Sequence, residues 1–424
     1  MSLQEPVMRV LLFLVLSLTL SGCATNAVTG KKTLNFMSPA EQIALGEKSY
    51  KPYQQQQGGR YEVDPRVNDY VKNVGLKLAA VSDQPNLPYD FVVLNDDTPN
   101  AWALPGGKIA INRGLLTQLD DEAQLAAVLG HEIVHAAAGH TAQQQSKATL
   151  LGLGAALLTV AVSDSDYSPL IGAGVGLGVG MTVAKFGREQ ELESDHYGIK
   201  YMAKAGYDVQ AAVELQEKFV ALSKGHDSSG LGALFASHPP SQERVEKNRQ
   251  QLALYPGGVR NKSQFERALS QVRRDAPAYK LNQEAQKAAA AKNYDEGLSL
   301  VNRAIAQQGR EAQFHITKGR ILLAKEDTLN ASNAFRRATA ENPGYVMGFL
   351  YHGMTEKKLG YNDTAERSFK RSMDLLPTPI AAYYLGDISR NKGDTGAARR
   401  YFEFAAQDGG DIGQAARRQL QNLY

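Results

Sequence analysis

The sequence predicts a mainly α-helical protein in which an α+β domain with a small β-sheet precedes an all-α solenoid. Its 424 residues are 43% hydrophobic and 21% charged, a globular composition with room for two or three domains. Two short β-rich segments, Tyr89–Leu94 and Lys108–Ile111, predict the strands of the sheet. Segments with helix start and stop signals surround them, and the last third of the chain repeats with a period of about 34 residues.

The N-terminal segment has the features of a signal for lipid attachment. An apolar run, VLLFLVLSLTL, ends at LSGC, whose Cys23 is the only cysteine in the chain. The run is short for a bilayer span, and its small-residue ending is typical of a secretory signal. LSGC resembles the bacterial lipobox, which implies a signal peptide over residues 1–22 and lipidation of Cys23. The alternative is an ordinary signal peptide with a chance cysteine. The lipobox implies an envelope protein anchored by acyl chains, in the outer membrane and facing the periplasm.

Residues 38–275 are predicted to form one domain. Residues 23–37 are predicted to be a polar tether, and Ser38 with Glu41 forms a capping box that begins the first helix. Asp120-Asp121-Glu122 begins a long helix further on. Two uncharged, glycine-rich runs between residues 148 and 184 are predicted to pack against the protein, with membrane insertion as the alternative.

The last third contains three residue series in one phase. Glycine, alanine and phenylalanine each recur at spacings of 34 and 33 residues, at Gly319, Gly353 and Gly386, at Ala331, Ala365 and Ala398, and at Phe335, Phe369 and Phe402. This period resembles the tetratricopeptide repeat, in which each unit is a pair of antiparallel helices. We therefore predict four repeats over residues 278–412, the first degenerate, and a capping helix over residues 413–424. A plain helical bundle is the alternative.

Candidate metal ligands lie in the stretch LAAVLGHEIVHAAAGH, residues 125–140. On a helix, His131 and His135 project from one face, one turn apart, which suits two imidazoles that share a tetrahedral zinc ion. Glu132 points about 100° away and can still reach a water molecule at the metal. The alternative is a pair of hydrogen-bonded core histidines, but burying Glu132 beside them with no cation would be costly.

A third ligand is expected from the helix after Phe186. At 100° per residue, Glu191 and Asp195 share the apolar side of this helix. Glu189, Glu193 and His196 fall on the opposite side, which is predicted to face water. One of the two inward carboxylates can bind the metal while the other orients a ligand histidine, and spacing leaves open which does which.

Five motifs carry a specific resemblance between Val28 and Asn248. They are VTGKKTLNFMSPAEQIALG, NAWALPGG, LGHEIVH, REQELESD and SHPPSQERV. Together they resemble family forty-eight of the metallopeptidases, the HtpX- and BepA-like gluzincins. The resemblance implies one zinc ion per chain held by His131, His135 and Glu191. It also implies that Asp195 supports a ligand histidine and that Glu132 is the catalytic general base.

The same resemblance implies further residues near the zinc site. His238 would lie beside the metal, either as an oxyanion donor or as a resting fourth ligand, with Arg244 as a carboxylate partner. His140 is expected to be structural. The chain after Pro105 would be an edge strand along which a substrate backbone binds. This strand would contain Gly106, Gly107, Lys108 and Ile109.

Taken together, these features predict a zinc endopeptidase that degrades misfolded or stalled outer-membrane and periplasmic proteins. Its substrates would be unfolded or misassembled envelope proteins, and its repeats would dock substrate or the outer-membrane assembly machinery. A net charge of only +3 gives no sign of nucleic-acid binding. The alternative is a chaperone-like adaptor with silenced or rare proteolysis; the intact ligand set with Glu132 favours the enzyme.

Overall fold

The computed structural model describes residues 23–149, 186–224 and 231–423. The predicted signal peptide and nearly all of the glycine-rich runs lie outside the described residues. Within the described ranges the predicted fold class is confirmed, since a mainly α structure contains one small mixed sheet followed by paired helices. Among the described helices, none combines the length and hydropathy that a bilayer-spanning segment requires.

The described chain begins with a β-hairpin, which corrects the prediction of a plain tether over residues 23–37. Strand β1 (Cys23–Thr25) pairs antiparallel with β2 (Lys32–Leu34). Asn26 shapes the turn, because its Oδ1 accepts hydrogen bonds from the amides of Val28 at 2.9 Å and Thr29 at 3.2 Å. Beyond the hairpin, the Phe36 amide donates to Ser146 Oγ at 2.9 Å, so this segment is fastened to the domain.

The sheet lies beside the first two long helices, α1 (Pro39–Gln56) and α2 (Arg66–Ala79). The predicted capping box begins α1, with the Ser38 amide donating to Glu41 Oε2 at 2.7 Å. The strands are β3 (Asp90–Leu94), β4 (Ala101–Leu104) and β5 (Lys108–Asn112). Their order is β3–β5–β4, with β5 parallel to β3 and antiparallel to β4.

This strand order shows that the predicted substrate edge strand is wrong. β5 contains Lys108 and Ile109 and is hydrogen-bonded on both sides, so it has no free edge. Gly106 and Gly107 form the tight turn before it, at φ angles of 75° and 82° that favour glycine. The strands at the two edges of the sheet are β3, whose Leu94 forms an isolated bridge with Arg60, and β4, which comes before this turn in the chain.

Two helices that cross closely form the centre of the first domain. Helix α4 (Glu122–Ala137) follows the short α3 (Arg113–Leu116), and residues 140–149 are again helical. Helix α5 (Arg188–Lys204) packs on α4 where Gly198 of α5 meets Gly130 of α4. A Cβ atom at Gly198 would lie only 3.1 Å from the His131 amide nitrogen. The close approach allows side chains of α5 to reach those of α4.

The remaining helices complete the first domain and build the repeats. The first group is α6 (Gln210–Lys224), α7 (Gly232–Ser237), α8 (Gln242–Leu252) and α9 (Lys262–Ala268). The paired helices are α10 (Ser270–Ala290), α11 (Tyr294–Gln307), α12 (Ala312–Ala324), α13 (Thr328–Glu341), α14 (Val346–Lys358), α15 (Asn362–Leu375), α16 (Pro379–Asn391) and α17 (Thr395–Ala405). The last helix is α18 (Asp411–Gln421).

The periodic residues of the repeats meet in space. Each periodic phenylalanine packs its ring on the periodic glycine of the helix before it, at Gly319 with Phe335, Gly353 with Phe369 and Gly386 with Phe402. A Cβ atom at these glycines would lie 2.5, 2.8 and 2.7 Å from the ring. The period in the sequence therefore arises from the packing of the two helices in each pair, as expected for a solenoid of helix pairs.

The predicted boundary between residues 275 and 278 lies inside a single helix. Helix α10 runs unbroken through Pro277, which lies between the two predicted domains. Val272, Ala278 and Phe314 belong to the same hydrophobic core as α4. The first repeat is therefore continuous with the core of the first domain, and the boundary prediction is corrected.

Polar contacts strengthen this junction. The carboxylate of Glu311 is 1% exposed and accepts hydrogen bonds from Asn95 Nδ2, at 2.9 and 3.0 Å, and from the Tyr279 hydroxyl. The guanidinium of Arg113 stacks 3.3 Å from the centre of the Tyr279 ring. Burial raises the pKa of Glu311.

Candidate metal centre

Helix α4 presents two imidazoles to one point. The Nε2 atoms of His131 and His135 lie 3.0 Å apart, as expected for side chains one helical turn apart. The His135 side chain is fully buried and that of His131 is 12% exposed. The ring of Phe186 stacks on His135 with centroids 3.8 Å apart and shields it from solvent.

Helix α5 adds two carboxylates, and the structure separates their positions. Glu191 Oε1 lies 3.3 Å from His135 Nε2, and Glu191 Oε2 lies 3.5 Å from His131 Nε2. Asp195, one turn later, instead faces the other ring nitrogen of His131, with Nδ1 at 2.9 Å from Oδ1. The Glu191 carboxylate thus lies among the candidate ligand atoms, and Asp195 lies on the far side of the His131 ring. Helical spacing alone had left open which carboxylate takes which position.

His238 joins this cluster from the chain that follows α7. Its Nδ1 lies 3.3 Å from His131 Nε2 and 3.0 Å from Glu191 Oε1. Its Nε2 points the other way, 3.6 Å from Glu132 Oε1. His238 is 7% exposed, so it is an interior residue.

The cluster fits a tetrahedral metal ion. One ligand atom each from His131, His135, Glu191 and His238 lie within 4.8 Å of one another. The neighbouring pairs are 3.0 to 3.5 Å apart, close to the roughly 3.4 Å edge of a tetrahedron with bonds of about 2.0 to 2.1 Å. The ring nitrogens His131 Nε2 and His135 Nε2 face each other at 3.0 Å, and His238 Nδ1 lies 3.3 Å from His131 Nε2. Such polar atoms need a partner, and a cation can supply it.

The charges around the cluster also favour a divalent cation. Among the described residues, Glu132, Glu191 and Asp195 all interact with the guanidinium of Arg244, so with neutral imidazoles, as metal ligands would be, the ionised side chains leave two negative charges. Arg244 donates to both oxygens of Asp195 at 2.7 Å and lies 2.6 Å from Glu191 Oε2. Burial raises the pKa of Asp195, but Arg244 outweighs it and lowers that pKa to about 2.

The pKa values of His131 and Glu132 are raised, whereas burial lowers the pKa of His135. Burial lowers the pKa of His131, and the carboxylates of Glu191 and Asp195 more than compensate, raising it to about 10 in the metal-free site. Burial raises the pKa of Glu132, which is 2% exposed and whose Oε2 has no hydrogen-bond partner in the part of the chain that the structure describes. A buried carboxyl with a raised pKa is suited to exchange protons.

Sequence reasoning missed a second group of contacts behind His135. Its Nδ1 lies 2.9 Å from Nδ1 of His140, whose Nε2 lies 3.2 Å from Glu193 Oε1. Glu193 was predicted to face water, and this is wrong: its side chain is only 20% exposed and accepts a hydrogen bond from Asn26. The hairpin covers this face of α5, which a helical wheel cannot show. The sequence feature that could have indicated this contact was a third histidine, His140, only nine residues after His131.

The other predicted site residues lie elsewhere. Gly106 and Gly107 contact Ile43 and Tyr89, and Lys108 pairs with Glu47 at 2.6 Å. Instead, Ala101 of β4 lines the same small cavity as His131, Glu132 and His238. The volume of this cavity is about 70 Å³, and Val128, Phe219 and Leu234 form part of its apolar wall. Cys23 is the first residue of β1.

Residues 65–251 match the sequence model of peptidase family M48. This segment is an M48 peptidase domain. The matched range contains every residue of the ligand cluster, and it ends before the paired helices begin.

Curated proteins are similar to this chain over part of its length. The beta-barrel assembly-enhancing protease of Escherichia coli (strain K12) is 31% identical over 193 residues, which cover 44% of this chain and 39% of the relative. The mitochondrial metalloendopeptidase OMA1 of Schizosaccharomyces pombe is 30% identical over 225 residues, covering 52% and 64%. The chain therefore matches well under half the length of the bacterial relative. Among solved structures, YrrB, a TPR protein with an unusual peptide-binding site, is 19% identical with a TM-score of 0.33, covering 37% of this chain and 80% of that one.

Proposed function

We propose that this protein is a zinc-dependent endopeptidase of the bacterial cell envelope. The observation that supports it most is the arrangement of Glu132 beside the four candidate ligands of the M48 domain. Three imidazole nitrogens and one carboxylate in tetrahedral spacing are the donor set that zinc prefers, so we propose one zinc ion per chain. When bound, the metal supplies Lewis acidity that lowers the pKa of water and polarises a carbonyl group.

Glu132 is the proposed catalytic base. Its Oε2 has no hydrogen-bond partner among the described residues, so this oxygen is available to accept a proton from a water molecule. Its raised pKa favours holding that proton and then donating it to the leaving amine of the cleaved peptide. Asp195 and Arg244 hold the ring of His131, because the carboxylate accepts from Nδ1 and the guanidinium fixes the carboxylate.

His238 is proposed as a fourth ligand of the resting enzyme. It presents Nδ1 to the cluster, at distances equivalent to those between the other ligand atoms. Four protein ligands would close the site until one of them leaves, whereas catalytic sites keep an open position. The adaptor alternative draws support from the same contact, since a site that stayed closed would silence proteolysis. As an oxyanion donor, His238 would instead act on the reacting carbonyl.

The substrate backbone is proposed to approach along β4. This strand lies at one edge of the sheet, and its Ala101 lines the cavity that holds His131 and Glu132. A peptide added antiparallel or parallel to an edge strand gains main-chain hydrogen bonds that do not depend on its sequence. Such binding suits a peptidase that accepts unfolded chains.

We further propose that the substrates are misfolded or stalled proteins of the envelope. The printed name of the E. coli relative, a beta-barrel assembly-enhancing protease, supports this class. The paired helices of residues 270–405 would dock substrate or outer-membrane assembly machinery, and Cys23 would carry a lipid anchor. Loss of membrane association and of lipid label in Cys23→Ser would support the anchor; unchanged fractionation and an unlabelled parent would exclude it.

The catalytic assignment is tested with Glu132→Gln. The variant removes only the proton shuttle, so it should keep the metal but lose cleavage of casein by at least a hundredfold. Glu189→Gln, an exposed position on α5, is the matched control and should cleave like the parent. Cleavage within tenfold of the parent in Glu132→Gln would exclude Glu132 as the base. Binding of unfolded protein without any cleavage by the parent would favour the adaptor.

A further inference from the structure

A chain of hydrogen bonds connects His135 to the N-terminal hairpin. It runs from His135 Nδ1 to His140 Nδ1 at 2.9 Å, from His140 Nε2 to Glu193 Oε1 at 3.2 Å, and from Asn26 Nδ2 to the same oxygen at 2.9 Å. His135, His140 and Asn26 are 1%, 1% and 4% exposed. Hydrogen bonds shielded from water to this extent have a strong effect on orientation.

The proton positions along this chain follow from chemistry. If Nε2 of His135 binds a metal, that nitrogen must offer its lone pair, so the ring proton lies on Nδ1. His135 Nδ1–H then donates to Nδ1 of His140, which must be unprotonated. His140 therefore carries its proton on Nε2 and donates it to the Glu193 carboxylate. One arrangement of donors and acceptors satisfies all three contacts.

We propose that His140 and Glu193 are positioning residues for the ligand His135, and that Asn26 makes metal binding depend on the docked hairpin. This inference rests on the proposed metal site. The two ligand histidines are then held by two carboxylates of α5 that are two residues apart. Asp195 acts on His131 directly, and Glu193 acts on His135 through the imidazole of His140.

The hairpin has a specific place in this arrangement. Asn26 uses Oδ1 to shape its own turn and Nδ2 to hold Glu193. Displacing the hairpin would remove that donor and expose the face of α5 that Glu193 shares with Leu192 and His196 in a surface cavity. Because the hairpin begins at Cys23, a change near the N-terminus that displaces the hairpin would also change metal affinity, through the Asn26 side chain.

The first test measures metal affinity of the full chain by competition with a zinc chelator at fixed pH. Loss of a residue that orients a ligand typically weakens metal binding 10- to 100-fold. We expect roughly that loss in Glu193→Gln, because a neutral amide oxygen accepts from His140 Nε2 and Asn26 Nδ2 more weakly than a charged carboxylate oxygen does. Glu189→Gln, the exposed control one turn earlier, should bind like the parent. Equal affinity of Glu193→Gln and the parent would overturn the proposal.

The second test separates positioning from a general structural role. Thermal unfolding is followed for the metal-free and the zinc-loaded chain. A positioning residue should reduce the rise in Tm on zinc binding while leaving the metal-free Tm nearly unchanged. If Glu193→Gln lowers both values equally, Glu193 is only structural and the proposal fails. If the parent itself binds no zinc, the proposed function fails instead, so the two failures are distinct.

The third test isolates the hairpin. Asn26→Asp keeps an oxygen for the turn amides but removes the donor and places a carboxylate against Glu193. Asn35→Asp is its matched control, because Asn35 Oδ1 also accepts from a turn amide, that of Met37, at 3.0 Å. We expect zinc affinity to fall at least tenfold in Asn26→Asp and to stay unchanged in Asn35→Asp. Equal affinities in the two variants would exclude the link to the hairpin.

Discussion

His238 Nδ1 lies 3.0 Å from Glu191 Oε1, a contact between a residue preceding α8 and one on α5. The contact places a third imidazole inside the ligand cluster. If it closes the resting site, His238→Ala should open a coordination position and raise basal cleavage of casein several-fold. His196→Ala, an exposed histidine on α5, serves as the control. A hundredfold drop in cleavage would instead assign His238 to oxyanion stabilisation.

Asp195 and Arg244 are predicted to support His131. Asp195→Asn keeps the size of the side chain but weakens the contact to Nδ1 and leaves Arg244 with a poorer partner. We expect zinc affinity to fall 10- to 100-fold, as for other groups that orient a ligand histidine. Chelator competition measures the loss. Glu246→Gln, a control at an exposed position on α8, should bind zinc like the parent. If Asp195→Asn also binds zinc as tightly as the parent, Asp195 does not support His131 in metal binding.

The buried Glu311 predicts a specific pH dependence of stability. Burial raises its pKa, so the folded state holds this proton more tightly than the unfolded state, in which the pKa is about 4.3. The contribution of Glu311 to the free energy of unfolding therefore falls as pH rises from about 4.3 toward the raised pKa. Glu311→Gln does not titrate.

The stability of Glu311→Gln relative to the parent should consequently increase between pH 4 and pH 7. Chemical denaturation at several pH values gives this difference, in which titrations common to both proteins cancel. Glu296→Gln, an exposed position at the start of α11, should show a constant difference. A constant or decreasing difference for Glu311→Gln would contradict the assigned direction of the pKa shift.

The continuous core predicts where the chain can be shortened. Ending it at Asp275 cuts α10 and removes Ala278 and Phe314 from the core that α4 shares. We expect that chain to aggregate or to melt without cooperativity, whereas one ending at Glu341, which retains α10 to α13, should fold and bind zinc. Circular dichroism melts compare the two. A stable, zinc-binding chain that ends at Asp275 would restore the boundary predicted from sequence.

Features that depend on residues close together in the sequence could be predicted from the sequence alone. His131, His135, Glu191 and Asp195 could be identified because helical periodicity fixes which residues share a face. The packing of Phe369 on Gly353 was likewise encoded as a regular spacing. Both are consequences of local geometry.

Features that depend on distant segments could not be predicted in this way. Glu193 has the helical phase of a solvent-facing residue, and only the docking of Asn26 covers it. The edge position of β4 depends on β5 inserting between β3 and β4, which the strand patterns do not specify. Pro277 is compatible with a helix here because α10 packs into the core on both sides of it.

The zinc content of the purified full-length chain tests the central claim most directly. Elemental analysis should give one zinc per chain for the parent and for Glu132→Gln, and close to none for a variant that combines His131→Ala with Glu191→Ala. Circular dichroism of the double variant would confirm that its helices are retained. A parent without stoichiometric zinc after zinc loading, or a double variant that still holds one zinc per chain, would contradict the proposed metal centre.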